Sequence, residues 1–63
     1  MTELEKLYQN MADTLEQGVT DLEKFEAGNM SAGTRVRKNM QTIKDLAQKV
    51  RVTVQEQKNA VVA

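Results

Sequence analysis

The sequence predicts an all-α chain, an antiparallel two-helix hairpin with coiled-coil-like packing. Three observations predict it. Apolar residues recur at alternating three- and four-residue steps in both halves of the 63 residues. A Gly28-Asn29 pair separates the halves. Proline is absent and only three glycines occur, in a chain rich in charged, helix-favouring residues.

The first half carries Met1, Leu4, Tyr8, Met11, Leu15, Leu22 and Phe25, with Gly18 in the skipped slot. This is the heptad spacing that keeps one stripe of a helix turned toward a partner. Leu7 and Val19 flank the stripe. Helix 1 is expected from about Thr2 to about Ala27, ~37 Å at the α-helical rise. In the second half Val36, Met40, Ile43, Ala47, Val50 and Val54 repeat the pattern, continued by Gln57 and Val61, with Leu46 on the flank. Helix 2 is expected over about 30–58, with a frayed tail at 59–63. The valine-rich RVTV run suits a strand, but nothing else in the chain alternates to pair with it.

Gly28 suits the left-handed position that follows a helix. Asn29 can then cap helix 2 by accepting from a free N–H, with Ser31 and Thr34 as later cap candidates. A turn this tight sets a register in which facing positions sum to about 58. It places Phe25 on Gly33, Leu22 on Val36, Gly18 on Met40, Leu15 on Ile43, Met11 on Ala47, Tyr8 on Val50 and Leu4 on Val54.

One domain, residues 1–63, is all that this length allows, and its core is small. Cysteine and histidine are absent, so no disulfide, thiolate metal site or imidazole base is available. Oligomerisation is the remaining route to stability for so small a scaffold. The expected assembly is a homodimer or larger, in the form of a dimeric four-helix bundle. Leu7, Val19, Leu46 and Val52 lie off the narrow seam and are the candidates for the second interface.

Enzymatic chemistry finds no support. The carboxylates sit on solvated helix faces at no special spacing, and Gly28 with Gly33 fits no phosphate loop or dinucleotide fingerprint. Tyr8 and the methionines read as core. No cofactor, metal or small-molecule substrate is expected. No apolar run approaches the ~20 residues of a membrane span, and MTELEKLYQN lacks the pattern of a secretory signal. The expected location is cytoplasmic.

Overall neutrality hides a partition. Residues 1–28 carry seven acids and two bases, a net −5; residues 29–63 carry seven bases and two acids, a net +5. Arg37, Lys44, Arg51 and Lys58 recur every seven residues and form one stripe beside the seam. One reading is pairing with helix 1, which selects a partner more than it stabilises. A second concerns the turn, because no acid occurs between Ala27 and Lys44. Arg35, Arg37 and Lys38 open helix 2, where cations oppose the helix dipole. Together with Lys44, Ser31 and Thr34 they are candidates for holding phosphates, including those of a nucleic-acid backbone.

Gly28-Asn29, Ala32-Gly33 and Arg35-Val36-Arg37, within Gly28 to Lys58 and preceded by LEKFEAG, carry a resemblance. The stretch resembles the bacterial linker-histone-like nucleoid proteins first described in chlamydiae. The resemblance implies a nucleoid protein that binds double-stranded DNA without sequence preference and compacts it. Chlamydial members carry a long Lys/Arg/Ala-rich tail as their main DNA-binding region. These 63 residues resemble the helical domain without that tail, which directs the expectation toward assembly. Two functions follow: a small histone-like DNA-binding protein, or a non-enzymatic oligomerisation or protein-interaction module that does not itself touch DNA.

Overall fold

A computed structural model describes residues 1–62, with side-chain surroundings described through Ala60. It contains two helices, α1 (Glu3–Glu26) and α2 (Met30–Val62), packed against each other as an elongated hairpin of 53 × 18 × 10 Å. Helix α2 runs past the Lys58 end that the sequence suggests, since neither glycine nor proline follows to stop it. Of the segment expected to fray, Asn59–Val62 is helical, and Ala63 lies outside the described residues.

The start of α1 is set by a reciprocal pair of hydrogen bonds. The Glu5 N–H donates to Thr2 Oγ1 at 3.1 Å, and the Thr2 N–H donates to Glu5 Oε1 at 2.9 Å. Two otherwise unpaired backbone donors are satisfied by this capping box. The donation from the Thr2 backbone, then that from its side chain, holds the Glu5 carboxyl below its ordinary pKa. At the other end, Gly28 has φ +104°. Its N–H donates to the Phe25 carbonyl at 3.0 Å, and the Asn29 N–H donates to the Lys24 carbonyl at 2.9 Å. These two bonds close the helix in a Schellman motif, which needs the left-handed backbone that glycine adopts freely. Asn29 then serves α2, its Oδ1 accepting from the Ala32 N–H at 3.4 Å and from the Ser31 hydroxyl at 2.7 Å.

The contact line between the helices is rotated by one position from the stripe that apolar spacing suggests. The faces turned inward are Leu4, Leu7, Met11, Thr14, Gly18 and Asp21 on α1, and Ala32, Gly33, Val36, Asn39, Ile43, Leu46, Ala47, Val50 and Thr53 on α2. Leu4, Met11, Gly18, Gly33, Val36, Ile43, Ala47 and Val50 belong to both patterns. Tyr8, Leu15, Leu22, Met40 and Val54, expected in the seam, are instead 39–65% exposed. Leu7, Ala32 and Leu46 form the buried apolar core.

Small residues cause the rotation, because they let the backbones approach. A Cβ at Gly33 would stand 2.8 Å from the Phe25 ring, the pairing expected from the register. Gly18, expected opposite Met40, instead faces Asn39; a Cβ there would stand 2.7 Å from Asn39 Cγ. In that space Asn39 Nδ2 donates to the Thr14 carbonyl at 2.7 Å, a part-buried bond between the helices. No buried side-chain N or O among the described residues lacks a partner.

Gly18 and Asn39 are therefore predicted to be coupled. In an Asn39→Ala background, Gly18→Ala should stabilise by up to ~1 kcal/mol, the usual gain of alanine over glycine inside a helix. In the wild-type background the same change should be neutral or destabilising, because the added methyl displaces Asn39. A urea-denaturation cycle in which Gly18→Ala gives equal values in both backgrounds would refute the coupling. Glu5→Gln is expected to destabilise at neutral pH. A depressed carboxyl pKa contributes stability above the unfolded-state value and loses it as pH falls through the folded-state value. Melting temperatures of Glu5→Gln and wild type should therefore converge in acid.

Candidate nucleic-acid interface

Seven of the nine basic residues lie on α2, and its start is served from within the chain. Asn29 caps the helix, and the Ser31 hydroxyl is spent on Asn29 Oδ1. Ser31 and Thr34 are exposed. The expected phosphate cradle of free N–H groups and hydroxyls is thus partly filled by Asn29.

The cations divide in two. Arg35 Nε donates to Asp21 Oδ1 at 2.8 Å, joining α2 to α1 across the polar side of the hairpin. Arg35 is half exposed and Asp21 is three-quarters covered, so this pair sits at the edge of the contact line. It ties down one residue expected to face phosphates. Asp21 was the missing half of that prediction. It stands near Arg35 in the expected register but belongs to no apolar stripe, so apolar spacing does not find it.

Arg37, Lys38 and Lys44 are exposed and form no ion pair among the described residues. The same holds for Lys49, Arg51 and Lys58. Pairing of the Arg37, Lys44, Arg51, Lys58 stripe with α1 is therefore corrected: the one interhelical ion pair described is made by Arg35. The stripe's phase explains this. It stands one step further round α2 than exposed Met40 and Val54 and half-buried Ala47, beyond reach of α1 in the same hairpin. Four cations spaced one heptad apart span ~31 Å of helix.

The residues expected at a second interface also divide. Leu7 and Leu46 are 7% and 8% exposed and pack inside the hairpin, so they are unavailable to another molecule. The close approach at Gly18 brings them inward. Val19 and Val52 are 49% and 44% exposed. Val19 stands beside exposed Leu15 and Leu22, whereas Val52 lies on the solvent side of α2 with Lys38 and Asp45.

No helix among the described residues is long and apolar enough to cross a membrane. No cluster of three or more potential His, Cys, Asp or Glu metal ligands occurs among them. Compared with known proteins, residues 5–60 match the family model described as Hc1, histone H1-like protein Hc1. No curated protein and no solved structure matches the chain.

The division of the cations has a measurable consequence. Arg35→Gln should lower stability by ~0.2–1 kcal/mol, the range for exposed ion pairs. Arg37→Gln and Lys44→Gln should each stay within ~0.5 kcal/mol of wild type. Chemical denaturation of the three variants tests this, and a loss at Arg37 equal to that at Arg35 would contradict it.

Proposed function

Because the chain belongs to the histone H1-like Hc1 family, we propose that it is a small nucleoid-associated protein that binds double-stranded DNA without sequence preference and aids compaction. The observation that carries this reading is the set of exposed cations on α2 that form no ion pair among the described residues: Arg37, Lys38 and Lys44, continued by Arg51 and Lys58. A cation with a carboxylate partner is already neutralised. One without a partner gains more from a phosphate and releases a condensed counterion on contact. Ser31, Thr34 and Arg35 take a lesser part, because Ser31 and Arg35 already have partners in the chain. The reading places the protein in the cytoplasm at the nucleoid, with no catalytic role. Self-association as a homodimer or larger multiplies a modest number of contacts per chain.

A non-enzymatic assembly module without direct DNA contact is the second reading. It is favoured by the exposed apolar residues Tyr8, Leu15, Leu22, Met40 and Val54. The readings separate in a DNA-binding titration.

For the first reading, affinity for duplex DNA of unrelated sequences should be equal and should fall with salt. The log–log slope should be about −0.9 per phosphate contact. Changing Arg37, Lys38 and Lys44 together to Gln should flatten the slope by ~2.7 while the far-ultraviolet helical signal stays intact. Arg35→Gln should change it by well under one contact. Absence of binding at low salt, with the protein folded, would leave the assembly module as the function.

A further inference from the structure

The hairpin leaves one whole side unfinished. Tyr8, Leu15 and Leu22 stand seven residues apart on α1, and Met40 and Val54 stand fourteen apart on α2 with Ala47 between them. Their exposures run from 65% at Tyr8 to 39% at Val54, with Ala47 half-buried. The two stripes lie on the same side of the molecule: Tyr8, Met11 and Leu15 line one open groove together with Ala47 and Val50. The opposite side is polar, with Glu3, Asn10, Gln17 and Lys24 on α1 and Arg35, Thr42, Lys49 and Glu56 on α2 at the matching heptad positions. A hairpin apolar on one side and polar on the other is half of a bundle.

Charge selects the occupant and its orientation. Two hairpins related by a two-fold axis can stack apolar face to apolar face in two ways. With the axis perpendicular to the helices, α1 lies over the second copy's α1, and acid meets acid while base meets base. With the axis parallel to the helices, α1 of each copy lies over α2 of the other, and −5 meets +5 twice. The edges of the apolar face carry the same preference. The α1 edge reads Glu5, Ala12, Val19, Glu26, and the α2 edge reads Arg37, Lys44, Arg51, Lys58. Acids stand at both ends of one edge and cations along the other, so each edge complements the other and repels a copy of itself.

We propose that a second copy of this chain docks on the Tyr8–Leu15–Leu22 and Met40–Ala47–Val54 face, the acidic helix of each copy over the basic helix of the other, with both turns at the same end. This deepens the self-association within the proposed function and rests on it. All neighbouring helices are then antiparallel, and the Arg37 and Lys38 residues of both copies gather at one end of the bundle. The stripe beside the face changes role along its length. The parallel axis keeps the hairpin's own register, in which Asp21 stands beside Arg35, so Arg51 comes level with Glu5 of the partner subunit, whereas Arg37 and Lys44 come level with Val19 of the partner subunit and Ala12 of the partner subunit and keep their charge free.

The test uses the intact chain without DNA, so its outcome is independent of DNA binding. The chain has no cysteine, so Ala27→Cys gives one spin-label site at the exposed end of the turn. Sedimentation equilibrium should return twice the chain mass, and the label-to-label distance should be well under half of the 53 Å long axis. A dimer with labels near 50 Å apart would put the turns at opposite ends and overturn the orientation, leaving self-association standing. A folded monomer at micromolar concentration, or an assembly larger than two, would overturn the two-copy docking itself. Leu15→Lys should halve the mass of the assembly, whereas Val52→Lys, on the opposite side, should leave it unchanged; the reverse pattern would move the interface elsewhere. If Leu15→Lys does not fold, the label distance still decides.

Discussion

Two helices share only one line of contact, and each helix here carries an apolar arc wider than one line can cover. That mismatch governs the structure. On α1 the arc runs from Leu7 through Leu4, Met11 and Phe25 to Tyr8, Leu15 and Leu22. On α2 it runs from Leu46 through Val36, Ile43 and Val50 to Met40 and Val54. The hairpin can bury one edge of each arc. It buries the edge that holds the small and polar residues, because Gly18 and Ala32 let the helices approach and Asn39 reaches the Thr14 carbonyl. Close packing and a satisfied hydrogen bond there outweigh the larger apolar residues on the other edge. Those residues remain as a surface of the kind that marks association sites.

The charge partition fits into the same frame. In the single hairpin, opposite charge on the two helices yields one interhelical ion pair among the described residues, Arg35 with Asp21, on the polar side. The other cations of α2 point elsewhere. A +5 helix with one cation paired leaves most of its field unneutralised within the chain, which raises the local concentration of polyanions and orients partners of opposite sign. Membership of a histone H1-like family and this unspent charge direct the reading to the same kind of ligand by independent routes.

Much of the architecture was legible in residue spacing. Three-and-four steps, the missing prolines and Gly28-Asn29 are local signals, and they led to two helices and a tight turn closed by a positive-φ glycine. The phase of the contact line was not legible in the same way. Apolar counting ranks Tyr8, Leu15 and Leu22 above Leu7, Thr14 and Asp21, so it places the seam one residue too far round each helix. What decides the phase is how closely the backbones approach at Gly18 and which polar group fills the gap. That is a three-dimensional property of Gly18 and Asn39 together, and no one-residue scale contains it. The same error assigned Leu7 and Leu46 to an outer interface. At the candidate site, the basic excess after the turn was visible in composition. The separation of Arg35 from Arg37, Lys38 and Lys44 required knowing where Asp21 lies.

The turn also orders the molecule in time. Phe25 and Gly33 meet across a short loop, whereas Thr14 and Asn39 meet across 25 residues. Closing the longer loop first would cost about 1 kcal/mol more in chain entropy. The Schellman turn is therefore the natural nucleus, and the helices zip from it toward Thr2 and Val54 in contacts that are each local once the previous one has formed. Unzipping begins at the opposite end, where the exposed residues from Val54 to Ala60 carry α2 past the start of α1. Amide protons should then exchange along a gradient, fast near the open end and slow around Gly18 and Asn39. The polar layer at the middle of the hairpin is the point past which opening becomes global.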